Sequence, residues 1–206
     1  MTGMPLRLNL LALIALFVAS MPSFAQGKPV AWQPGYVGSC GGCNLAGRNM
    51  SGWTSARFSD AILSNARLMG IQASGADFRE TLMRGANLQG ALMVGANFSN
   101  ADLGETQLDE ADFSGANLTD VKFDKAVMKA TILNGANMTG VIMTGSDVAG
   151  ASFRDVRFIR ADLSGMHHHD MANFAGACSS IDTLMPPGLL LPLCGDLLIA
   201  ANAPKN

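Results

Sequence analysis

The chain has 206 residues and is close to electrical neutrality, with 14 Lys and Arg against 16 Asp and Glu. Only 15% of its residues are charged, so the composition does not indicate a protein that binds nucleic acid or an acidic ligand. Once a targeting segment is set aside, the remaining length is that of one domain.

The first 25 residues have the organisation of an export signal. Arg7 supplies a positive start, residues 8–19 an apolar stretch, and Ser23-Phe24-Ala25 a small-x-small cleavage site, so the mature chain is expected to begin at Gln26. The apolar stretch is too short for a convincing membrane span, and no Cys follows the cleavage site for a lipid anchor. We therefore expect a soluble periplasmic or secreted protein, without stable membrane insertion of the mature chain.

A five-residue period dominates the chain from Phe58 to Leu163. Every fifth residue there is large and apolar, with Ala73 the exception among 22 positions, and the residue two places earlier is Ala at 14 of them. Because this period fits neither an α-helix nor a continuous strand, the chain must turn a corner once per unit. The small and the large residue then share an inward face, and the mostly polar residue between them points outward.

The last residue of each unit has the composition of a turn. It is Gly in 11 of the 22 units and Asn or Asp in five more. These residues tolerate turns and positive φ angles.

Typical units read ANLQG (86–90), ADFSG (111–115) and ADLSG (161–165). They resemble the A-(D/N)-L-x-x pattern of the pentapeptide-repeat family, and the resemblance covers well over half of the chain. It implies an all-β fold, a right-handed quadrilateral β-helix with four pentapeptides per coil, in which each coil contacts only its neighbours. We assign residues 45–177 to this repeat domain.

With four units per coil, residues 20 apart stack in columns along the rod. The polar residues of one outer column are then expected to form a ladder of the kind that stabilises in-register sheets. That column contains Asp77, Asn97, Asn117 and Asn137. The inner column beside it, which we predict to be structural core, contains Phe58, Phe78, Phe98, Leu118, Met138 and Phe158.

Both ends of such a solenoid need covers, because an open coil invites pairing with another chain. We predict a small N-terminal cap at residues 26–44 and an apolar C-terminal cap at residues 178–206. A three-residue insertion at Trp53 interrupts the register near the first cap. Several Pro residues make the C-terminal tail a poor membrane helix, so it is interpreted as a cap, with peripheral membrane contact as the alternative.

Four cysteines in an oxidising compartment suggest two disulfides. Cys40 and Cys43 lie at one end of the predicted rod and Cys178 and Cys194 at the other, too far apart to bond across it. We therefore pair Cys40 with Cys43 and Cys178 with Cys194, and the second bond would contribute about 3 kcal/mol. The C-x-x-C spacing of the first pair also leaves a thiol-redox or a metal-binding role open.

The three histidines of the chain are consecutive, His167, His168 and His169, and they coincide with a slip of the repeat register. In an unbroken repeat His168 would point inward, so a bulge that exposes the histidines is expected. Imidazole together with the thioethers of the neighbouring methionines suits copper or zinc. A solvated bulge without bound metal is the favoured interpretation of this segment, and a metal site is the alternative.

The sequence offers no catalytic constellation and no phosphate-binding loop, and the filled interior of so narrow a solenoid leaves no substrate pocket. The best-characterised activity in the family is imitation of B-DNA by an acidic rod-shaped dimer that binds a type II topoisomerase. Here an acidic belt between Asp102 and Asp120 is flanked by basic clusters, which does not suit that role. The outward apolar residues form no large patch and are interpreted as scattered: Ile62, Leu82, Leu92, Val94 and Ile132.

The sequence thus predicts a non-enzymatic exported scaffold or protein-interaction module. Its protein partner and its oligomeric state stay open, and neither a nucleic-acid partner nor a cofactor is expected. A periplasmic copper- or zinc-binding protein that uses His167, His168 and His169 is the alternative, and a thiol-redox protein or a DNA mimic is less favoured.

Overall fold

Each five-residue unit forms one short extended segment followed by one tight turn. The computed structural model describes Phe58 and residues 61–195; the predicted signal and N-terminal cap, Cys40, Cys43 and the Trp53 insertion lie outside them. In each unit one outward residue forms a parallel bridge, and the two residues after the large apolar residue form the turn. The corner that the period predicts is therefore present once per unit.

The bridges join residues 20 positions apart, so four units complete one coil. Ile62 is bridged to Leu82, and Leu82 in turn to Asp102. Each bridge rests on backbone hydrogen bonds between coils: the Leu82 amide donates to the carbonyl of Ala61 at 3.0 Å, and the Leu63 amide donates to that of Leu82 at 2.7 Å. The chain is thus a four-sided β-helix, and its faces are named here by their first bridged residues as the Ile62, Arg67, Gln72 and Asp77 faces.

Regular secondary structure in the described part is confined to the C-terminal end. Strand β1, Arg157–Phe158, pairs in parallel with strand β2, Cys178–Ser179. A single turn of 3-10 helix spans His169–Met171. Within the described ranges no helix has the length and apolar character needed to cross a bilayer.

The large apolar residues fill the interior of the coils, as predicted. The three Phe rings at the start of the first inner column are stacked, with centroids 5.1 Å apart for Phe58 and Phe78 and 4.8 Å apart for Phe78 and Phe98. The column continues with Leu118, Met138 and Phe158, and all six side chains are buried. The core is therefore a continuous apolar filling along the rod.

The second inward position is small because it lies at a corner of a narrow coil. Most of these residues are buried Ala, and four of the exceptions carry a hydroxyl group: Thr81, Thr106, Thr131 and Ser146. Every one of these hydroxyls donates to a backbone carbonyl, as Thr106 Oγ1 does to Leu103 O at 2.6 Å. The hydroxyls are thus tolerated inside the rod because their hydrogen bonds are satisfied.

The outward Asp and Asn residues have a structural task that the sequence interpretation missed. Their side-chain oxygen accepts the backbone amide two residues later, as Asp112 does from Ser114 at 2.8 Å and Asn117 from Thr119 at 3.2 Å. This Asx turn fixes the start of the corner in those units that have Asp or Asn at the outward position. The predicted ladder is present in part, since the amide of Asn117 donates to Asn97 at 3.1 Å, while Asp77 pairs with Arg79 in its own unit.

The last residue of each unit is left-handed, whatever its type. From Asn65 to Arg160 every such residue has a φ angle between 54° and 70°. Half of them are Gly, but the others include Glu105, Lys125 and Ala130. Left-handed backbone costs about 1–2 kcal/mol for a residue with a Cβ atom. The stacking of the coils therefore imposes this conformation even where the residue does not favour it.

We expect opposite stability effects from two matched turn substitutions. Ala130→Gly removes the left-handed backbone strain of an exposed residue, but it also gives the unfolded chain more conformational freedom. The net effect should be a stabilisation of the fold by up to about 1 kcal/mol. Gly90→Ala introduces the strain where a Cβ atom meets nothing within 4 Å, and should destabilise by about 1 kcal/mol. Thermal and urea unfolding measure both, and a lower stability for Ala130→Gly would contradict this account.

Candidate functional site

The repeat is interrupted at the histidine segment by a one-residue insertion. The bridge between Asp147 and His167 keeps the spacing of 20, whereas the next bridge, between Ser152 and Asn173, spans 21 residues. The extra residue is absorbed by the 3-10 turn His169–Met171 and by His168, which adopts a left-handed φ of 57°. The three imidazoles consequently lie outside the core, as the predicted bulge requires.

His168 is held against a carboxylate of the preceding coil. Its Nδ1 atom lies 2.8 Å from Asp147 Oδ1, and since a carboxylate oxygen only accepts, Nδ1 carries the proton. Lys129 Nζ lies 3.6 Å from the other carboxylate oxygen of Asp147. Burial raises the pKa of the Asp147 carboxyl. Hydrogen bonds from His168 and from the Ala149 amide lower it, as do the charges of His168 and Lys129, and the result is a pKa below the usual value.

His169 lies against the C-terminal segment. Its Nε2 atom is 3.1 Å from the carbonyl oxygen of Pro187 and donates to it. Its Nδ1 atom is buried and has no hydrogen-bond partner among the described residues. The inserted segment therefore contacts the preceding coil through His168 and Asp147, and the C-terminal segment through His169 and Pro187.

A disulfide and backbone hydrogen bonds hold the C-terminal segment, residues 178–194, in place. Cys178 and Cys194 are bonded, with their Cα atoms 4.9 Å apart, which is the predicted pairing at this end. Beside the bond, the Ser179 amide donates to Pro192 O at 2.8 Å, and the Cys194 amide donates to Ser179 O at 3.0 Å. Residues 178–194 thus form a terminal layer on the last coil, which we call the end layer.

The structure does not gather the three histidines around one point. His168 is directed to Asp147 and His169 to Pro187, while His167 occupies an exposed outward position beside Asp147. Among the described residues there is no group of three His, Cys, Asp or Glu side chains that could hold a metal ion. Copper or zinc binding by these histidines stays a prediction, as does a redox role for Cys40 and Cys43.

Two carboxylates of the acidic belt pair with an arginine of the preceding coil. Arg84 lies 3.5 Å from Asp102 and 2.7 Å from Glu105 in the next coil. On the other side Asp102 is bridged to Lys122, and the backbone amide of Lys129 donates to Asp109 Oδ1 at 3.1 Å. Exposed ion pairs such as those of Arg84 contribute little stability, but they place a positive charge against the edge of the acidic belt.

The chain belongs to the pentapeptide repeat family. The family model, described as pentapeptide repeats, matches eight copies over residues 54–90, 91–129 and 131–166, more than half of the chain. The members of this family fold as right-handed quadrilateral β-helices, as the described coils do. No curated protein matches the sequence.

Several solved pentapeptide-repeat structures are similar to the chain. HetL, involved in heterocyst differentiation regulation in the cyanobacterium Nostoc sp. strain PCC 7120, is 19% identical over 88% of this chain and 99% of its own, with a TM-score of 0.48. QnrB1, a plasmid-mediated fluoroquinolone resistance protein, is 22% identical over 69% of this chain and 78% of its own, with a TM-score of 0.47. A protein of the Arabidopsis thaliana thylakoid lumen is 31% identical over 54% and 68%, with a TM-score of 0.24.

The ion contacts of Asp147 predict a loss of stability in acid. The pKa of Asp147 is lower in the folded chain than in the unfolded chain, where it is near 3.8. The ionised carboxylate therefore adds its full contribution to the free energy of unfolding above that value, and this contribution is lost as the pH falls through the folded pKa. Asp147→Asn keeps the turn acceptor but removes the charge. It should lower the free energy of unfolding at pH 6, and its deficit relative to the wild type should shrink below about pH 4.

Asp162→Asn is the matched control for this experiment. Asp162 accepts the Ser164 amide at 3.1 Å in the same type of turn, but it forms no salt bridge with the described residues. Denaturant unfolding from pH 3 to pH 7 compares the two variants. An equal pH dependence for both would show that the contacts to His168 and Lys129 contribute nothing to acid stability.

Proposed function

We propose that the protein is a non-enzymatic, exported scaffold whose flat faces bind a protein partner in the periplasm. The observation that carries this proposal is a pair of apolar side chains on the Ile62 face. Ile62 and Leu82 are bridge partners, so they lie side by side on neighbouring coils, and they are 40% and 46% exposed. Adjacent apolar side chains on a rigid surface suit the anchor of a small, transient interface.

The rigidity of the rod supports the same proposal. Along the coils the backbone groups of each bridge are bonded to the next coil, and the outward Asp and Asn side chains are bonded within their own turns. A surface that does not rearrange loses little conformational entropy on binding. Pentapeptide-repeat proteins as different in their stated roles as HetL and QnrB1 share one fold, so the fold itself does not name the partner.

Capture from a periplasmic extract tests the protein-binding face. Immobilised wild-type protein should retain a partner that Leu82→Asp loses, because a buried carboxylate at the centre of an apolar contact is strongly unfavourable. Leu92→Asp, on the opposite Gln72 face and 42% exposed in the wild type, is the control and should retain it. Identical captured proteins for all three would contradict the assignment of this face.

A metal-binding role is the second candidate, and one contact favours it. The hydrogen bond from His168 Nδ1 to Asp147 leaves Nε2 as the ligating atom, an arrangement typical of metal-bound histidines. His167 lies beside the same carboxylate as its bridge partner. Two imidazoles from these residues, completed by solvent, would suit copper or zinc in an exported protein.

Calorimetric titration with Cu²⁺ and with Zn²⁺ separates this role from the scaffold. If the histidines bind metal, His167→Ala/His168→Ala should lower the affinity at least tenfold, and His169→Ala, whose Nε2 atom is bonded to Pro187, should change it much less. Equal affinities for the wild type and the double variant would remove the metal-binding role and leave the scaffold proposal untouched.

A further inference from the structure

The most exposed apolar side chains of the described part lie at the C-terminal end of the rod. Leu190 is 91% exposed and Ile181 83%, whereas the exposed apolar residues of the coil faces reach only 37–46%. Met171 and Leu184, also at this end, are 62% and 55% exposed. We call Met171, Ile181, Leu184 and Leu190 the apolar rim. Side chains this exposed protrude from the surface and do not lie flat on it.

The segment that carries the apolar rim has few charges. Asp170 directly precedes Met171, and from Met171 to Gly195 the only charged residue is Asp182, beside Ile181. Leu190 lies in the run Leu189-Leu190-Leu191, between Gly188 and Pro192. Burial of this segment in an apolar medium would therefore remove few charges from water, which is the main cost of such a transfer.

The end layer is fixed in shape before any contact is made. The disulfide closes its two ends, Thr183 Oγ1 donates to Phe158 O at 2.6 Å, and Ser180 Oγ accepts the Arg160 amide at 2.8 Å. Ile181 lies between Ser180 and Thr183, which are both bonded to the coil below, so it loses little conformational entropy on insertion.

The coil beneath the end layer carries a band of exposed arginines. Arg154, Arg157 and Arg160 are all exposed, and the bridge from Arg157 to Cys178 places this band one strand spacing, about 4.8 Å, below the end layer. Asp155 and Asp162 lie in the same coil, so the band has a small net positive charge. Long arginine side chains reach phosphate groups while their stems stay in apolar surroundings.

We propose that the apolar rim inserts into the interface of a zwitterionic phospholipid bilayer, with the arginine band at the level of the phosphate groups. A protruding apolar tip with the single carboxylate of Asp182, above a nearly balanced charged band, matches the succession of acyl chains and headgroups in such a bilayer. A strongly anionic membrane is not required, because the end layer has no Lys or Arg. The contact is peripheral and reversible, and it does not depend on the protein-binding face proposed above.

Flotation with phosphatidylcholine vesicles tests this proposal on the full mature chain. Wild-type protein should float with the vesicles, and Ile181→Ser/Leu190→Ser should reduce the partition coefficient at least tenfold, because two protruding apolar side chains are replaced by polar ones. The matched control is Leu92→Ser/Ile132→Ser, which removes two exposed apolar residues from the Gln72 face and should float like the wild type. Leu82→Asp should also float normally, which separates a failure here from a failure of the protein-binding face.

Three results would overturn the proposal. Wild-type protein that stays at the bottom of the gradient does not insert. Light scattering that shows a dimer, converted to monomer by Ile181→Ser/Leu190→Ser, would assign the apolar rim to a second copy of the chain. Vesicle binding that occurs only after removal of residues 196–206 would show that the chain's own C-terminal segment occupies the rim.

Discussion

The parallel hydrogen-bond ladder between coils is the interaction on which the rest of the structure depends. Along the regular coils the backbone groups on a face are bonded to the residues 20 positions away, as those of Ile62 and Leu82 are. Because an unpaired buried amide or carbonyl is costly, this pairing favours a constant unit length along the regular coils. The inward large residue, the small corner residue and the left-handed last residue are consequences of that fixed length.

The ladder also explains why turn residues with poor intrinsic preference are tolerated. Glu105, Lys125 and Ala130 adopt the same left-handed angle as the glycines, although an isolated chain would avoid it. The bonds of the turn to the next coil outweigh that cost, as when the Lys125 amide donates to Thr144 O at 2.8 Å. The backbone strain of the left-handed residues is thus spread over many corners, and the hydrogen bonds between successive coils compensate for it.

The five-residue period predicted a corner in every unit, and the resemblance to pentapeptide repeats implied the four-sided β-helix. The sequence also predicted the buried first column from Phe58 to Phe158 and the register slip at the histidines. It did not show that the outward Asp and Asn residues close turns, since in sequence a turn acceptor and a solvated side chain look alike. It assigned Asn117 to a ladder between coils, and the structure shows that Asn117, like Asp112, also accepts the backbone amide two residues later.

The histidine segment shows where sequence reasoning ends. The slip from 20 to 21 residues was visible, but the contacts of His168 with Asp147 and of His169 with Pro187 join residues 21 and 18 positions apart. Which of these meet depends on how one extra residue is absorbed, and here a left-handed residue and a 3-10 turn absorb it. Consecutive histidines are therefore directed to different partners, although their adjacency in sequence indicated a shared site.

The two proposed contacts of the rod would fit together geometrically. The bridges lead from Ile62 to Leu184 on one face in six steps, which at about 4.8 Å per step amounts to roughly 29 Å. If the apolar rim lies in a bilayer interface, the Ile62 and Leu82 pair is held well outside the headgroups, where a protein partner can reach it. A shorter rod would bury that pair among headgroups, so the number of coils sets the distance at which such a scaffold presents its partner.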